Sequence, residues 1–568
     1  MSSIIAVNDG HNASCVHLEK GEVRFALQEE RLSRVKNQGG FPALSLAHLA
    51  ESVNLAGLDA FVFATHYVPL SPHGREDRMR AYKRGGLVAG VKQFAKRLGA
   101  KRARAAYLKQ QRVAHAVALG VPPEKISFKD HHLCHAASAY YGWGRLDEPV
   151  LVLTNDGAGD DLCATVSIGQ GGKLERIAAV HMNHSIGELW ALFTAMMGMV
   201  PLEHEYKLMG LAPYAPPEGA GRVKKMLDAH FSFTPDGLGW SVNPGKPAIP
   251  QAYGYFRDAT EFMRFDWVAG GLQAFTEEFL CRWVSNAIRK TSIRKVALAG
   301  GTFMNVKANK RIGELEEVED LFIFPSCGDE TLPFGAAYDA HAAMGGTCEP
   351  LGHLYLGMQY DSAQVKAAFD GYGFRHECRI RKCERISDEV AALLAQGRVV
   401  AWFQGREEFG ARALGARSLV ADASRPGVVE EINGMIKSRD FWMPFAASMT
   451  QEGAQRYLRN PGNSASPYMI MTFDTTEAAG EIEGGRHPYD RTCRPQVVSR
   501  EWNGRYHELL TAFAGLTGRQ GILNTSLNLH GLPIASSPQD AFQVLDDSGL
   551  RFLAIEDWLV EKVGSRAP

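Results

Sequence analysis

Two histidines four residues apart, His131 and His135, have the spacing of a pair of metal ligands. The surrounding residues are good helix formers, so both imidazole rings should project from one face of a helix. Asp156 ends an apolar run downstream, where a tight glycine turn would bring its carboxylate to the same place. Such a mixed nitrogen and oxygen site suits iron or zinc better than calcium or magnesium. Two partly buried structural histidines are the alternative interpretation.

Asp329 is a fourth candidate ligand. It lies in the loop after a strand predicted at residues 321–324. Open α/β sheets place their ligands at the carboxyl ends of strands, so we expect this carboxylate to face the same cleft.

Paired glycines mark a second place where a ligand could approach the backbone. A strand predicted at residues 295–299 runs into Gly300 and Gly301, followed by Phe303 and Asn305. Glycine lets a ligand approach the backbone closely, and a nucleoside is the expected ligand. Lys207, in a glycine-flanked apolar segment, is a candidate phosphate or substrate contact. A surface lysine whose stem covers apolar residues is the alternative.

The loop at residues 404–418 interleaves Arg406, Arg412 and Arg417 with glycines. Guanidinium groups bind phosphate through two parallel hydrogen bonds, so this pattern indicates an anion site. Later loops add further cationic and polar groups, namely Lys437, Arg439, residues 491–494, Ser526 and Asn528. Together they predict a polyphosphate pocket.

The order of predicted elements indicates how these residues are positioned. Two strand–turn–strand–turn–strand segments, each with Asn-Asp-Gly at its first turn (residues 8–10 and 155–157), predict a duplicated α/β domain with a cleft between its halves. We therefore expect one domain at 1–348, a linker at 349–385 and a smaller α/β domain at 386–568. The basic stretch at 92–112 is expected to be a solvated helix face.

Bulk composition excludes several function classes. The chain of 568 residues is 45% hydrophobic and 22% charged, as in ordinary globular proteins, and is long enough for two domains. Its net charge of -1 gives no overall basic excess of the kind that nucleic-acid or anionic-membrane binding usually needs, and local basic patches are the open alternative. Nine irregularly spaced cysteines favour reduced thiols in a cytoplasm. We expect neither a signal peptide nor a membrane-spanning segment.

In this order, the motifs resemble the O-carbamoyltransferases of the nodulation-protein and tobramycin-carbamoylating type. The resemblance extends over nearly the whole chain, and several motifs in one order are more specific than any single one. The matching segments are residues 8–14, 131–136, 156–157, 207–212, 300–305 and 405–418.

The resemblance implies an N-terminal TsaD-like domain of the actin, sugar-kinase and chaperone ATPase (ASKHA) superfamily and a YrdC-like C-terminal domain. The KxR and SxN signatures of the latter match Lys437/Arg439 and Ser526/Asn528. The C-terminal domain would make carbamoyl adenylate from carbamoyl phosphate and ATP with Mg²⁺. The N-terminal domain would transfer the carbamoyl group to an acceptor hydroxyl near an iron held by His131, His135, Asp156 and Asp329. His₂Asp₂ would also suit zinc.

The resemblance also suggests individual roles. His11, in the first predicted turn, is the candidate general base, with a structural turn histidine as the alternative. The cationic groups Arg406, Arg412, Arg417, Lys437 and Arg439 would hold the phosphates, and Ser526 and Asn528 would complete the adenylation site. Because a free adenylate hydrolyses, activation and transfer should share a cavity closed to water.

The expected acceptor is a hydroxylated small molecule, such as an antibiotic, another secondary metabolite or a glycan. The loops expected to contact it, residues 65–86 and 251–266, have no readable code. We expect no nucleic-acid or membrane partner, and the oligomeric state is open, a homodimer being one option.

Three rival functions differ from O-carbamoyl transfer. A tRNA threonylcarbamoylating enzyme would use the same folds but need a basic surface for RNA. A nucleotide-switching ASKHA ATPase would not need the arginine-rich second domain. A metalloprotease would need a glutamate where His132 stands. Formation of AMP that depends on carbamoyl phosphate would separate the transferase from all three.

Overall fold

The computed structural model describes residues 2–67, 80, 100–460 and 466–565, and the chain forms two compact units. Unit 1 consists of Met1–Glu29 and Asn37–Gly352, and unit 2 consists of Glu30–Lys36 and His353–Pro568. Most of the segment expected to be a linker, residues 349–385, instead belongs to unit 2 and contains a helix and a strand. A short N-terminal segment also belongs to unit 2.

Unit 1 contains two five-stranded sheets. The first is formed by β1 (Ser3–Asn8), β2 (Ser14–Glu19), β3 (Glu22–Gln28), β4 (Ala60–Phe63) and β5 (Ile126–Phe128), and the second by β6 (Val150–Gly159), β7 (Leu162–Gln170), β8 (Lys173–His181), β11 (Lys295–Ala299) and β12 (Asp320–Ile323). A two-stranded ribbon, β9 (Phe231–Phe233) and β10 (Trp240–Val242), lies outside both sheets.

The two sheets have the same topology. Their orders are β3-β2-β1-β4-β5 and β8-β7-β6-β11-β12. In each sheet the first three strands of the sequence are antiparallel neighbours, and the last two are added in parallel beside the first. The unit is therefore a duplicated α/β domain, as predicted.

Helices cover these sheets. Those of unit 1, with α1 spanning both units, are α1 (Glu29–Ser33), α2 (Ala43–Ala50), α3 (Ala100–Ala118), α4 (His131–Trp143), α5 (Ile186–Met196), α6 (Glu205–Leu211), α7 (Pro217–Asp228), α8 (Tyr253–Thr260), α9 (Phe265–Thr291), α10 (Val306–Gly313) and α11 (Leu332–Ala343). The central strands are apolar on both faces, as in Ile4 to Val7, because helices pack on each side. Helix α4 packs against α11 and β6.

The two Asn-Asp-Gly tripeptides do not adopt the same structure. The first forms the predicted turn between β1 and β2. The second lies inside β6, which continues to Gly159 past a register irregularity after Asn155. The turn is made instead by Asp160 and Asp161, with φ of 49° and 71°. Positive φ at both central residues is the geometry of a tight hairpin turn, so the prediction of a turn at Asp156 was wrong.

The basic stretch differs from its prediction at one residue. Residues 92–99 lie outside the described part of the chain, and α3 begins at Ala100. Arg112, expected on a solvated face, is only 5% exposed because it is paired with Asp9. Of the predicted acceptor loop at 65–86, residues 68–79 and 81–86 lie outside the described residues.

Unit 2 is built on one mixed eight-stranded sheet in the order β13-β22-β21-β14-β15-β20-β16-β19. Its strands are β13 (His376–Lys382), β14 (Val400–Phe403), β15 (Arg417–Ala421), β16 (Ala446–Met449), β19 (Pro495–Val497), β20 (Gly521–Ser526), β21 (Phe552–Ile555) and β22 (Trp558–Ser565), and β17 (Leu458–Arg459) and β18 (Asp474–Thr475) form a separate ribbon. Its helices are α12 (Ser362–Gly371), α13 (Ile386–Ala395), α14 (Val428–Ile432), α15 (Gln451–Tyr457), α16 (Gly504–Thr517) and α17 (Pro538–Asp546).

Two apolar clusters form the core of unit 2, one including Phe369 and Phe542 and the other including Trp402 and Tyr506. All nine cysteines lie in described parts of the chain, and none of them forms a disulfide bond. None of the described helices is both long and apolar enough to cross a membrane.

Candidate functional site

Unit 1 brings the four predicted metal ligands together. His131 and His135 lie on the first turns of α4, Asp156 lies in β6, and Asp329 begins a short 3₁₀ turn after β12. One ligand atom from each residue lies within 4.8 Å of all the others. His131 Nε2 is 3.1 Å from Asp156 Oδ2, and His135 Nε2 is 3.7 Å from Asp329 Oδ1. The side chains converge on one point from three separate elements.

The chemistry of this cluster fits a metal ion. The His135 side chain is fully buried, and neither of its ring nitrogens has a hydrogen-bond partner. A buried polar atom without a partner costs free energy, and coordination of a metal by Nε2 would remove that cost. Two imidazoles and two carboxylates are a donor set for a first-row metal such as iron or zinc.

The pKa shifts of two cluster residues also indicate that the cluster favours a bound positive charge. Burial disfavours the imidazolium form of His135, but Asp156 and Asp329 outweigh it and raise its pKa to about 9. Burial likewise opposes ionisation of Asp156, yet His131 and His135 hold its pKa well below its ordinary value. A metal ion would replace the proton that His135 otherwise binds.

His132 points away from the cluster despite standing between the two ligands. Its Nδ1 lies 2.8 Å from Thr154 Oγ1, which in turn lies 2.7 Å from Thr165 Oγ1. Burial, with the neighbouring His131 and His135, lowers its pKa to about 3. His132 is therefore a neutral, structural histidine.

The paired glycines position Asp156. The N–H of Gly301 donates to Asp156 Oδ1 at 2.9 Å. Gly300 has a φ of 102°, and a Cβ there would lie 2.3 Å from the carbonyl oxygen of Asn155. The glycines thus let the loop after β11 press against β6, and the second carboxylate oxygen of Asp156 faces His131.

The other residues of this motif have structural contacts in unit 1. Phe303 is fully buried, and Asn305 caps α10 by accepting from the N–H of Ala308 while its amide pairs with Gln273. Nucleoside binding by Gly300, Gly301, Phe303 and Asn305 remains a prediction. So does a ligand contact for Lys207, which lies partly buried in α6.

His11, the candidate base, lies in the turn between β1 and β2. The Asn8 side chain shapes this turn by donating to the carbonyl of His11 at 2.7 Å and accepting from the N–H of Gly10 at 3.1 Å. Asp9, in the same turn, pairs with Arg112. Sequence reasoning missed Arg112, because no local pattern reports a partner 103 residues away.

A second polar centre lies in unit 2, around Lys437. This lysine ends a π-helical turn, Asn433–Lys437, and is 3% exposed. Its ammonium donates to Ser526 Oγ at 3.2 Å and to Asn528 Oδ1 at 2.6 Å. The structure therefore brings together Lys437, Ser526 and Asn528, which are 91 residues apart at the widest.

Cationic groups crowd this second centre. Burial, followed by the charges of Arg439 and Lys36, holds the pKa of Lys437 well below its ordinary value. Burial and the charges of Arg412 and Arg439 do the same to the pKa of Arg494. A bound anion would relieve this repulsion. Arg494 was indicated only by the cationic run at residues 491–494.

Two of the three arginines in the arginine-rich loop have backbone partners within unit 2, and phosphate binding by Arg406 and Arg417 remains a prediction. Arg417 is fully buried, lies 3.6 Å over the Phe403 ring and donates to the backbone carbonyls of Met358, Gln404, Gly405 and Ala416. Arg406 donates to the carbonyls of Leu356 and Gly357.

Backbone N–H groups of this loop also have an internal partner. The buried Glu408 carboxylate accepts from the N–H groups of Leu414, Ala416 and Arg417. Arg412, beside Arg494, is thus the arginine of this loop that the electrostatics place in the cationic cluster.

Comparison with known proteins adds an independent line of evidence. Residues 3–338 match the family model for the carbamoyltransferase N-terminus, and residues 391–562 match that for the carbamoyltransferase C-terminus. The nodulation protein NolNO of Sinorhizobium fredii is 29% identical over 97% of this chain and 79% of its own length. The 3'-hydroxymethylcephem-O-carbamoyltransferase of Amycolatopsis lactamdurans is 28% identical over 46% of this chain and 47% of its own.

Solved structures are more distant. Full-length HypF in its phosphate- and nucleotide-bound form is 15% identical, with a TM-score of 0.38, over 61% of this chain and 56% of that chain.

Proposed function

The chain belongs to the carbamoyltransferase family, and we propose that it is an ATP-dependent O-carbamoyltransferase with one chemical step in each unit. The observation that carries this proposal is the presence of two different polar centres in one chain. Unit 1 has a candidate metal-ligand cluster. Unit 2 has a buried lysine, Lys437, that feels the charges of Arg439 and Lys36, and a buried arginine, Arg494, that feels those of Arg412 and Arg439. For the folds, we infer an ASKHA-type unit 1 and a YrdC-like unit 2.

Unit 2 would activate the carbamoyl group. Carbamoyl phosphate, ATP and water would give carbamoyl adenylate, pyrophosphate and phosphate, with Mg²⁺ accompanying ATP. Lys437, Arg439, Arg412 and Arg494 would neutralise the phosphate charges, because their mutual repulsion in a buried place favours an anion between them. Ser526 and Asn528 hold the Lys437 ammonium in place.

Unit 1 would transfer the carbamoyl group. The acceptor hydroxyl would attack the carbamoyl carbon of the adenylate, and AMP would leave. His11 would take the hydroxyl proton as general base. His131, His135, Asp156 and Asp329 would hold iron, with zinc as the alternative. When bound, the metal would act as a Lewis acid on the phosphate or carbonyl oxygen.

We propose a hydroxylated natural product as the acceptor. The relative named for 3'-hydroxymethylcephem supports an alcohol acceptor, and it supplies a probe for transfer assays. Free cysteines throughout the described chain support a reducing, cytoplasmic location.

The first experiment tests activation without an acceptor. The purified protein is incubated with ATP, Mg²⁺ and carbamoyl phosphate, and the products are identified by mass spectrometry. We expect carbamoyl adenylate and pyrophosphate, and loss of both in Arg412→Ala and Arg494→Ala. Arg551→Ala is the matched control, because Arg551 is half exposed and paired with Glu561. It should leave the yield unchanged.

The opposite outcome is equally clear. Absence of carbamoyl adenylate, together with hydrolysis of ATP to ADP by folded, metal-loaded protein, would exclude the transferase. It would favour a nucleotide-switching ATPase.

A further inference from the structure

The turn that carries His11 is anchored by a buried ion pair. Arg112 Nε and Nη2 lie 2.6 and 2.7 Å from the two carboxylate oxygens of Asp9. The guanidinium of Arg112 also lies 4.5 Å over the ring of Phe63 and 4.8 Å over that of Phe128. Planar, two-point pairing fixes orientation as well as distance, so the turn is fixed to helix α3.

A short segment after β4, Thr65–Tyr67, lies between Arg112 and Asp160. Arg112 Nη1 donates to the carbonyls of Thr65 and His66 at 2.9 and 3.3 Å. The Asp160 carboxylate accepts from the N–H groups of His66 and Tyr67 at 3.0 and 2.9 Å and from Thr65 Oγ1 at 3.0 Å. The Arg112 guanidinium therefore binds carbonyl groups of this segment, and the Asp160 carboxylate binds its N–H groups. Such bonds polarise and strengthen one another.

Asp160 also contacts the helix that carries the metal ligands. Its Oδ2 accepts from the N–H of His131, the first residue of α4, at 2.9 Å. With a φ of 49°, Asp160 is in the left-handed region, which aspartate tolerates and in which its surroundings hold it. Its four hydrogen bonds provide that hold, and they join the turn after β6, the segment after β4 and α4.

We infer that Arg112 and Asp160 are positioning residues that couple the turn carrying His11 to the metal-ligand helix α4. The chain of contacts runs from Asp9 through Arg112, residues 65–67 and Asp160 to the backbone of His131. The role of His11 as base rests on the proposed function. A base and a metal that act on one substrate must keep a fixed separation, because small displacements cost much rate.

The test measures Co²⁺ affinity and the visible absorption of bound Co²⁺, so it needs no acceptor. Asp160→Asn should weaken Co²⁺ binding about tenfold, as expected for a group behind a ligand. Asparagine tolerates the left-handed conformation, so this change isolates the carboxylate. Arg112→Lys and Asp9→Asn touch no metal ligand, yet each should weaken binding about threefold and shift the spectrum.

Double variants show whether Arg112 and Asp9 influence Co²⁺ affinity through Asp160. In the Asp160→Asn background, Arg112→Lys and Asp9→Asn should have no further effect on Co²⁺ affinity, because the connection to α4 is already broken. Arg145→Lys is the matched control in unit 1. Arg145 is 40% exposed and paired with Glu148, and its change should leave affinity and spectrum unaltered. Circular dichroism and thermal unfolding verify that each variant is folded.

Additive effects, an unchanged affinity in folded Arg112→Lys and Asp9→Asn, or no Co²⁺ binding by the unmodified protein would each overturn the inference. Failure of the proposed function has a different signature. In that case no carbamoyl adenylate forms, while the Co²⁺ measurements keep the expected pattern.

Discussion

Gly300 supports the proposed metal site because it has no side chain. A Cβ at this position would lie 2.3 Å from the carbonyl oxygen of Asn155, and the φ of 102° is unfavourable for any other residue. We predict that Gly300→Ala lowers the free energy of unfolding by about 3 kcal/mol, from overpacking and backbone strain together. It should also weaken metal binding, because Asp156 follows Asn155.

Gly221 is the matched control for this change. It lies in helix α7, and a Cβ there would have no heavy atom within 4 Å. Gly221→Ala should therefore raise the free energy of unfolding by up to about 1 kcal/mol. Urea unfolding measures both variants, and equal effects of the two substitutions would contradict the argument.

Lys437 is expected to support function without stabilising the fold at neutral pH. Since burial and nearby cations depress its pKa in the folded protein, the unfolded chain binds this proton more tightly. The residue therefore stabilises the fold less as pH falls from its ordinary pKa of 10.5 toward the folded value. We predict that Lys437→Met abolishes carbamoyl adenylate formation without loss of stability at pH 7.

The measurement is urea unfolding of both proteins between pH 7 and pH 10. The free energy of unfolding of the unmodified protein, relative to Lys437→Met, should rise with pH in this range, because the destabilising charge is lost. A relative stability that falls with pH would show that the lysine is held as a favourable cation.

Single residues also show where sequence reasoning ends. The spacing of His131 and His135 predicted both residues on one helix face, because helical periodicity is a local property. Whether an arginine is available to bind a ligand depends on tertiary contacts, which a local sequence pattern does not report. Arg412 and Arg417 stand in the same loop and the same pattern, but Arg417 is buried among four carbonyl groups contributed partly by residue 358.

Strands and helices could be predicted where the sequence showed a complete strand or helix pattern. The three strands of each hairpin segment, and the helix carrying the two histidines, are present close to their predicted positions. The position of the second turn was not predictable, because one tripeptide fits both a turn and a strand with a bulge. The hydrogen bonds of Asp160 to four distant residues decide between the two.

The proposed metal site joins three elements, so we predict that metal binding stabilises unit 1. The ligands come from α4, β6 and the turn after β12. Metal at about 100 times its dissociation constant should raise the free energy of unfolding by about 2.7 kcal/mol. Differential scanning calorimetry with and without Co²⁺ measures the shift.

His135→Ala should remove this stabilisation, since it removes a ligand at the centre of the cluster. His48→Ala is the control, because His48 lies partly exposed on α2. A Co²⁺-dependent shift that persists in His135→Ala would place the ion elsewhere.

At the scale of the whole molecule, the chain does not divide at a single point. Segment Glu30–Lys36 belongs to unit 2, although both neighbouring segments belong to unit 1. Arg31 Nη1 lies 3.0 Å from Glu407 Oε1, with both side chains 1% exposed, and Glu407 Oε2 accepts from Ser536 Oγ at 2.7 Å. Arg34 donates to the carbonyls of Pro533 and Ile534. Sequence gave no sign of this exchange, because it depends on partners more than 370 residues away.

Arg31 should therefore be required for the stability of unit 2. Removing one partner of a buried ion pair leaves the other charge uncompensated, so we predict that Arg31→Met destabilises unit 2 by about 3–5 kcal/mol. Adding Glu407→Gln should recover part of that loss, because burial already raises the pKa of Glu407 and a neutral side chain removes the unpaired charge. Arg24→Met, at an exposed pair with Glu22, should have little effect.

The same contacts decide whether unit 2 can be excised. A fragment of residues 353–568 lacks Arg31 and Arg34, so it should unfold at lower urea than unit 2 of the whole chain. A synthetic peptide of residues 28–38 should raise the urea midpoint of that fragment, and the peptide with Arg31→Met should not. Equal stability of the fragment with and without peptide would mean that the contacts of Glu30–Lys36 contribute little. Unit 2 would then be separable at residue 353. If the peptide stabilises the fragment, the stable fold of unit 2 requires a segment that the chain supplies from its N-terminal region.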